Sequence, residues 1–145
     1  MSTHPDSPRR SADPATLAAT YIAAWQAHDW STLRSVLADD VTFRGPLGTA
    51  DNAEECLAGL RGMAQTLDRI EVHARLNDDS NVITWFDLHS TIAPPTATAN
   101  WTQVREGKIT AIRVTFDPRA TLAGLAAAAG PVDAPKQEPR DEERR

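Results

Sequence analysis

Between Arg69 and Phe116 the chain carries four strand-like runs in succession, RIEVHARL, NVITWFDLHSTI, ATANWTQV and KITAIRVTF, parted only by the turn-forming segments NDDSN, APPT and REG. Connections that short leave no room for a crossover, so consecutive runs must pair antiparallel as a meander. A meander of this size needs an apolar cover on one face. The residues before it have the pattern to supply one.

Asp13-Pro14 reads as a helix start, an acceptor at the cap followed by a proline whose missing N–H costs nothing there. Leu17, Tyr21, Ile22 and Trp25 follow at spacings of three and four, the stripe of an amphipathic helix. HDWSTLRSVLADD predicts a turn capped by Asp29 and a short second helix burying Leu33, Val36 and Leu37. VTFRGPLG is then a strand, with Val41 and Phe43 on one face and Gly45-Pro46 as its stop. DNAEE gives Asp51 an acid three positions on, a capping-box-like start for a third helix through about Leu67, with Leu57, Leu60 and Met63 inward. After the meander, Asp117-Pro118 repeats the cap signal, and RATLAGLAAAA predicts a last short helix ending before Gly130-Pro131. The fold expected is α+β, a cone of three N-terminal helices packed on a curved, mainly antiparallel sheet, with an internal pocket of the kind small molecules occupy.

A length of 145 residues suits one domain. Residues 1–12 and 131–145 are rich in proline and charge and poor in large apolar groups, so both are expected to be disordered around a domain spanning 13–130. The formal net charge of -5 and the lack of a clustered Lys/Arg surface argue against a nucleic-acid partner. No apolar run approaches the roughly 18 residues that span a bilayer, and the first dozen residues lack a secretory apolar core, so no membrane partner and a cytoplasmic location are expected. Cys56 is the only cysteine and is expected to be a small buried hydrophobe. With four scattered histidines, His28 and His73 lacking partners at ligand spacing, neither a metal nor a cofactor is expected.

The order of features in YIAAWQAHDWSTLRSVLADDVTFRGPLG, followed late in the chain by REGKI and FDP, resembles the nuclear-transport-factor-two-like superfamily and, within it, the SnoaL-like proteins. The resemblance runs from about Ala15 to Leu125. It implies the cone fold and, by analogy, a homodimer. It does not imply one activity, since isomerases, cyclases, epoxide hydrolases, dehydratases and non-catalytic binders share the fold. Laid on ketosteroid isomerases, the oxyanion-hole tyrosine falls on Tyr21, the second donor near Asn100, and the catalytic base on Gly45. Laid on limonene-epoxide-hydrolase-like enzymes, one aspartate falls on Asp87, the arginine on Trp85 and the other aspartate on about Val114. SnoaL-type cyclases need one acid in an apolar pocket, a part Asp87 or Asp117 could play.

Strand alternation puts Trp85, Asp87 and His89 on one face of ITWFDLHS and Thr84, Phe86 and Leu88 on the other. Both faces are half apolar, so periodicity leaves the inward one open, while both catalytic resemblances turn the Asp87 face inward. The function expected is a small-molecule-binding domain, acting as a cofactor-independent enzyme on a small apolar organic substrate. In that reading Asp87 is general acid/base, His89 its helper, and Tyr21 and Asn100 are donors to a substrate oxygen, for cyclisation or isomerisation next to a carbonyl. Trp25, Phe43, Trp85 and Phe116 would complete the walls. The alternative is a non-catalytic ligand-binding or dimerisation domain, which Gly45 and Trp85, standing where catalytic groups would be, both favour. Asp117 is expected to act first as a helix cap, and Arg113 to lie on the outward face.

Overall fold

Side-chain caps set where the helices begin. The computed structural model describes residues 13–137, and in it Asp13 accepts a hydrogen bond from the Thr16 N–H at 3.2 Å to start α1 (Pro14–Ala27). His28 closes that helix in the left-handed region at φ 59°, a conformation His tolerates better than most residues. Asp29 caps α2 (Trp30–Val36) through the Thr32 N–H. The third helix, α3 (Ala53–Ala64), is opened by a box-like pair one residue later than the sequence suggests: Asn52 Oδ1 takes the Glu55 N–H at 2.9 Å, and Glu55 Oε1 takes the N–H of Asp51, the residue before the cap, at 2.9 Å.

Six strands form one curved sheet in the order β2-β1-β6-β5-β4-β3. Their spans are β1 (Leu37–Gly45), β2 (Gly48–Ala50), β3 (Leu67–Asn77), β4 (Asn81–Ser90), β5 (Thr96–Arg105) and β6 (Lys108–Thr115). β3 to β6 are the expected meander, while β1 lies parallel to β6 and turns back on β2 across Pro46-Leu47. Register shifts in β1, β3 and β6 mark bulges, the devices that bend a twisted sheet into a cone.

Three boundaries differ from the sequence expectation. Leu37 is buried as expected, but as the first residue of β1, paired with Ile109, rather than as the end of a helix. α3 stops at Ala64, and Leu67 opens β3. The last helix, α4 (Arg119–Gln137), runs on through Gly130-Pro131. Of the expected disordered ends, 1–12 and 131–145, residues 131–137 belong to α4, and residues 1–12 and 138–145 fall outside the described residues.

Helices α1 and α3 lie on the concave face, where Tyr21, Leu33, Leu37, Val41, Phe86, Ile109 and Ile112 form the core. Trp25 Nε1 donates to the Leu60 carbonyl at 2.8 Å, tying the two helices together without leaving a buried donor unpaired. Gln26 Oε1 accepts from the Ile70 N–H, which pins α1 to the edge strand β3. Among the described residues no helix is long and apolar enough to cross a membrane.

Candidate functional site

β5 carries the polar groups of the interior because its inward residues, Thr98, Asn100 and Thr102, alternate with Ala97, Ala99 and Trp101. They meet Tyr21, which α1 directs down its apolar stripe. Asn100 Nδ2 donates to the Tyr21 hydroxyl oxygen at 3.0 Å, and Asn100 Oδ1 accepts from Thr102 Oγ1 at 3.0 Å. All three side chains are buried. Burial pushes the Tyr21 phenol well above its ordinary pKa, with the Asn100 bond offsetting only part of the shift. Tyr21 therefore keeps its proton. No group among the described residues accepts it, so this O–H is free to donate to a ligand oxygen.

Around this chain the cone holds three spaces that share lining residues. A narrow gap of about 20 Å³ lies directly against Tyr21 and Asn100. A cavity of about 110 Å³ lies between the β1–β2 turn and α3. The largest, about 320 Å³, runs out under α4 past Ser90, Ile92 and Leu125. Met63 and Phe116 line all three. Phe43 and Trp25 wall two of them each, so both do face the interior, although the indole N–H of Trp25 is already satisfied.

The β4 parity is the reverse of the expectation. Phe86 is 1 % exposed and lines the narrow gap, whereas Trp85 is 46 % exposed on the convex face. Asp87 and His89 share that outer face: Asp87 Oδ2 lies 3.1 Å from His73 Nε2, and His89 Nε2 lies 3.1 Å from Glu71 Oε1. Register decides it. Asn100 must face Tyr21, Thr84 pairs with Asn100 and Phe86 with Thr98, and directly paired residues share a face. An apolar ring also fills the space under α1 without the desolvation cost that a carboxylate would carry there. Neither Asp87 nor His89 can act on a molecule in the cone, and Trp85 does not wall it.

Tyr21, Trp25, Phe43, Asn100 and Phe116 are thus brought together, and Trp85, Asp87 and His89 are not. The narrow gap beside Tyr21 holds no carboxylate, imidazole or amine among the described residues. Glu55 reaches the rim of the middle cavity, but its carboxylate is engaged in capping α3. At Gly45 the Phe43 ring occupies the room a side chain would need, since a Cβ built there meets Phe43 Cε1 at 3.1 Å. Sequence reading missed Met63 and Cys56 as lining residues. Cys56 is buried as expected, and burial pushes its thiol up to about 11, leaving it a neutral wall.

Asp117 accepts the Arg119 N–H at 3.1 Å and so satisfies a first-turn donor of α4, but from one residue ahead of the expected cap position, which Pro118 takes. Its carboxylate, held by the Arg119 guanidinium and N–H, is lowered to about 2. Arg113 lies on the outer face and ties β6 to β1 through the Thr42 carbonyl and Oγ1.

A curved six-stranded sheet wrapped on two helices around an apolar cone is a fold shared with a solved protein of the nuclear-transport-factor-2-like type. The model of the SnoaL-like domain family matches residues 18–112, and the chain belongs to that family. Among solved structures, a Kribbella flavida protein is similar at TM-score 0.73 and 23% identity, over 79% of this chain and 94% of that one. A Cytophaga hutchinsonii protein of the nuclear-transport-factor-2-like type has TM-score 0.65 and 22% identity, over 75% and 94%. An epoxide hydrolase of the limonene-epoxide-hydrolase-like type from Mycobacterium tuberculosis has TM-score 0.64 and 20% identity, over 87% and 97%. At these identities the likeness is one of fold. No curated protein matches the chain.

Proposed function

We propose that the cone binds a small, largely apolar molecule through one hydrogen-bond-accepting oxygen, and that the domain is a binder rather than an acid/base enzyme. The observation that carries this is the buried Tyr21 hydroxyl, whose oxygen takes the Asn100 bond and whose proton has no acceptor among the described residues. A ketone, ester or ether oxygen would complete it. Charged ligands are disfavoured, because nothing in the gap would neutralise them. The missing base argues against proton abstraction next to a carbonyl, which leaves a donor pair without its partner chemistry.

Titration calorimetry with cyclic and aromatic ketones, each paired with the hydrocarbon of the same shape, tests the reading. A satisfied buried hydrogen bond is worth about 1 kcal/mol, so a ketone should bind roughly fivefold more tightly than its hydrocarbon, and Tyr21→Phe should erase the difference. Equal affinities in the wild-type protein would end the proposal. Turnover of any of the ketones would restore the enzyme reading.

A further inference from the structure

The convex side of the β3–β4 hairpin gathers four groups that the interior does not use. Glu71 sits opposite Asp87 in the register, and His89 follows two residues along β4. A bulge between the Val72↔Phe86 and Ala74↔Trp85 pairs inserts His73 as an extra residue, and its ring turns to Asp87. One ligand atom each from Glu71, Asp87 and His89 lies within 4.8 Å of the others. The two ring nitrogens already stand 3.1 Å from carboxylate oxygens.

We propose that Glu71, Asp87 and His89 bind one divalent transition-metal ion of the zinc type on the outer face of the sheet, with His73 orienting the Asp87 carboxylate. One imidazole nitrogen with two carboxylate oxygens suits a borderline ion, neither the all-oxygen shell of calcium and magnesium nor the thiolates preferred by copper(I). Bond lengths near 2.1 Å in a tetrahedral site put ligand atoms about 3.4 Å apart. The His89 and Glu71 atoms stand 3.1 Å apart, a few tenths of an ångström short of that separation, and rotation of the Asp87 and Glu71 side chains opens the pair and brings the third in. The remaining position faces solvent, since the Asp87 and Glu71 side chains are 33% and 47% exposed and β3 is an edge strand. His73 then stands as the outer partner that fixes a ligating carboxylate. Arg69 Nη1, 3.7 Å from Glu71 Oε1, is the cation the ion displaces. Sequence spacing hides this set, because β-pairing and a bulge assemble it.

The test is zinc chloride titrated into the full chain without an affinity tag, followed by calorimetry and by the histidine ring nitrogen resonances. One ion per chain is expected, with a shift at His89 Nε2. His89→Ala and Asp87→Asn should each weaken binding on the order of a hundredfold, and His73→Ala roughly 10–100-fold, the usual effect of losing an outer partner. Glu71→Gln, a near-isosteric surface change, keeps the experiment readable if another variant unfolds. His28→Ala should change nothing, and calcium should not compete. No heat and no shift at millimolar zinc would overturn the proposal. So would binding that survives His89→Ala, that follows His4 or His28, or that calcium matches in strength.

Discussion

Exchanging two neighbouring aromatic residues of β4 for alanine tests the parity that removes Asp87 from the cone. Phe86 is 1 % exposed and Trp85 is 46 % exposed. Removing the Phe86 ring costs its transfer free energy plus that of the cavity left behind, and the narrow gap beside it means the surroundings have little tendency to collapse into the space. The expected loss is about 3–5 kcal/mol. With an unfolding entropy of roughly 2 cal/mol/K per residue, the corresponding fall in Tm is on the order of 15 °C for a domain of this size. Trp85→Ala loses only the covered half of the indole and leaves no enclosed void, so it should cost about 1 kcal/mol or less. Urea unfolding followed by far-ultraviolet circular dichroism gives both numbers, provided the slope with denaturant stays constant across the variants. A larger loss for Trp85→Ala than for Phe86→Ala would refute the argument and return Asp87 to the interior.

The Asp117–Arg119 contact has a pH signature. The Asp117 carboxyl is lowered in the folded chain from 3.8 to about 2, so its support of α4 is present above about pH 4 and is lost as pH falls toward 2. The difference in first-turn helical carbon shifts between wild type and Asp117→Asn should be clear at pH 6 and close on that window; a difference that persists at pH 2 would contradict it. Gly124→Ala puts a Cβ into the Ile92 carbonyl oxygen, so α4 must move off the segment after β4. Amide exchange should rise between Leu122 and Leu125 while the Phe86 amide stays protected, and unchanged exchange would show that the contact is unimportant. On the outer face, the registered row Leu76, Ile83 and Trp101 leaves apolar surface in water, the area a second copy would cover in the homodimer expected from the sequence. Sedimentation should then give a dimer that Trp101→Glu converts to a monomer, and a wild-type monomer would remove the expectation.

The sequence announced the fold through features that act locally. Caps at Asp13 and Asp29, the Leu17–Trp25 stripe and short turns between strand-like runs each act within a few residues, and each recurs in the structure. The meeting of Tyr21 with Asn100 was also legible, because the resemblance to ketosteroid isomerases lays both on one site. What could not be read is whatever depends on pairing between strands. The direction faced by Asp87 follows from how APPT sets the β4–β5 register, and a slip of one residue there exchanges the faces. The same dependence hid the partners of His73, which a bulge supplies. β2 escaped notice because three residues are too few to show alternation, and the Leu37 boundary because a buried leucine suits a helix end and a strand start equally.

Met63 and Phe116 give the cone an adjustable interior. These two side chains line all three spaces of about 20, 110 and 320 Å³, so a change of rotamer at either one alters the room in each of them. An unbranched thioether swings at little energetic cost, so one scaffold can present a tight slot or a long channel without disturbing the Tyr21–Asn100 floor. Under the proposed binding reading, single substitutions at positions 63 and 116 would change which guests fit.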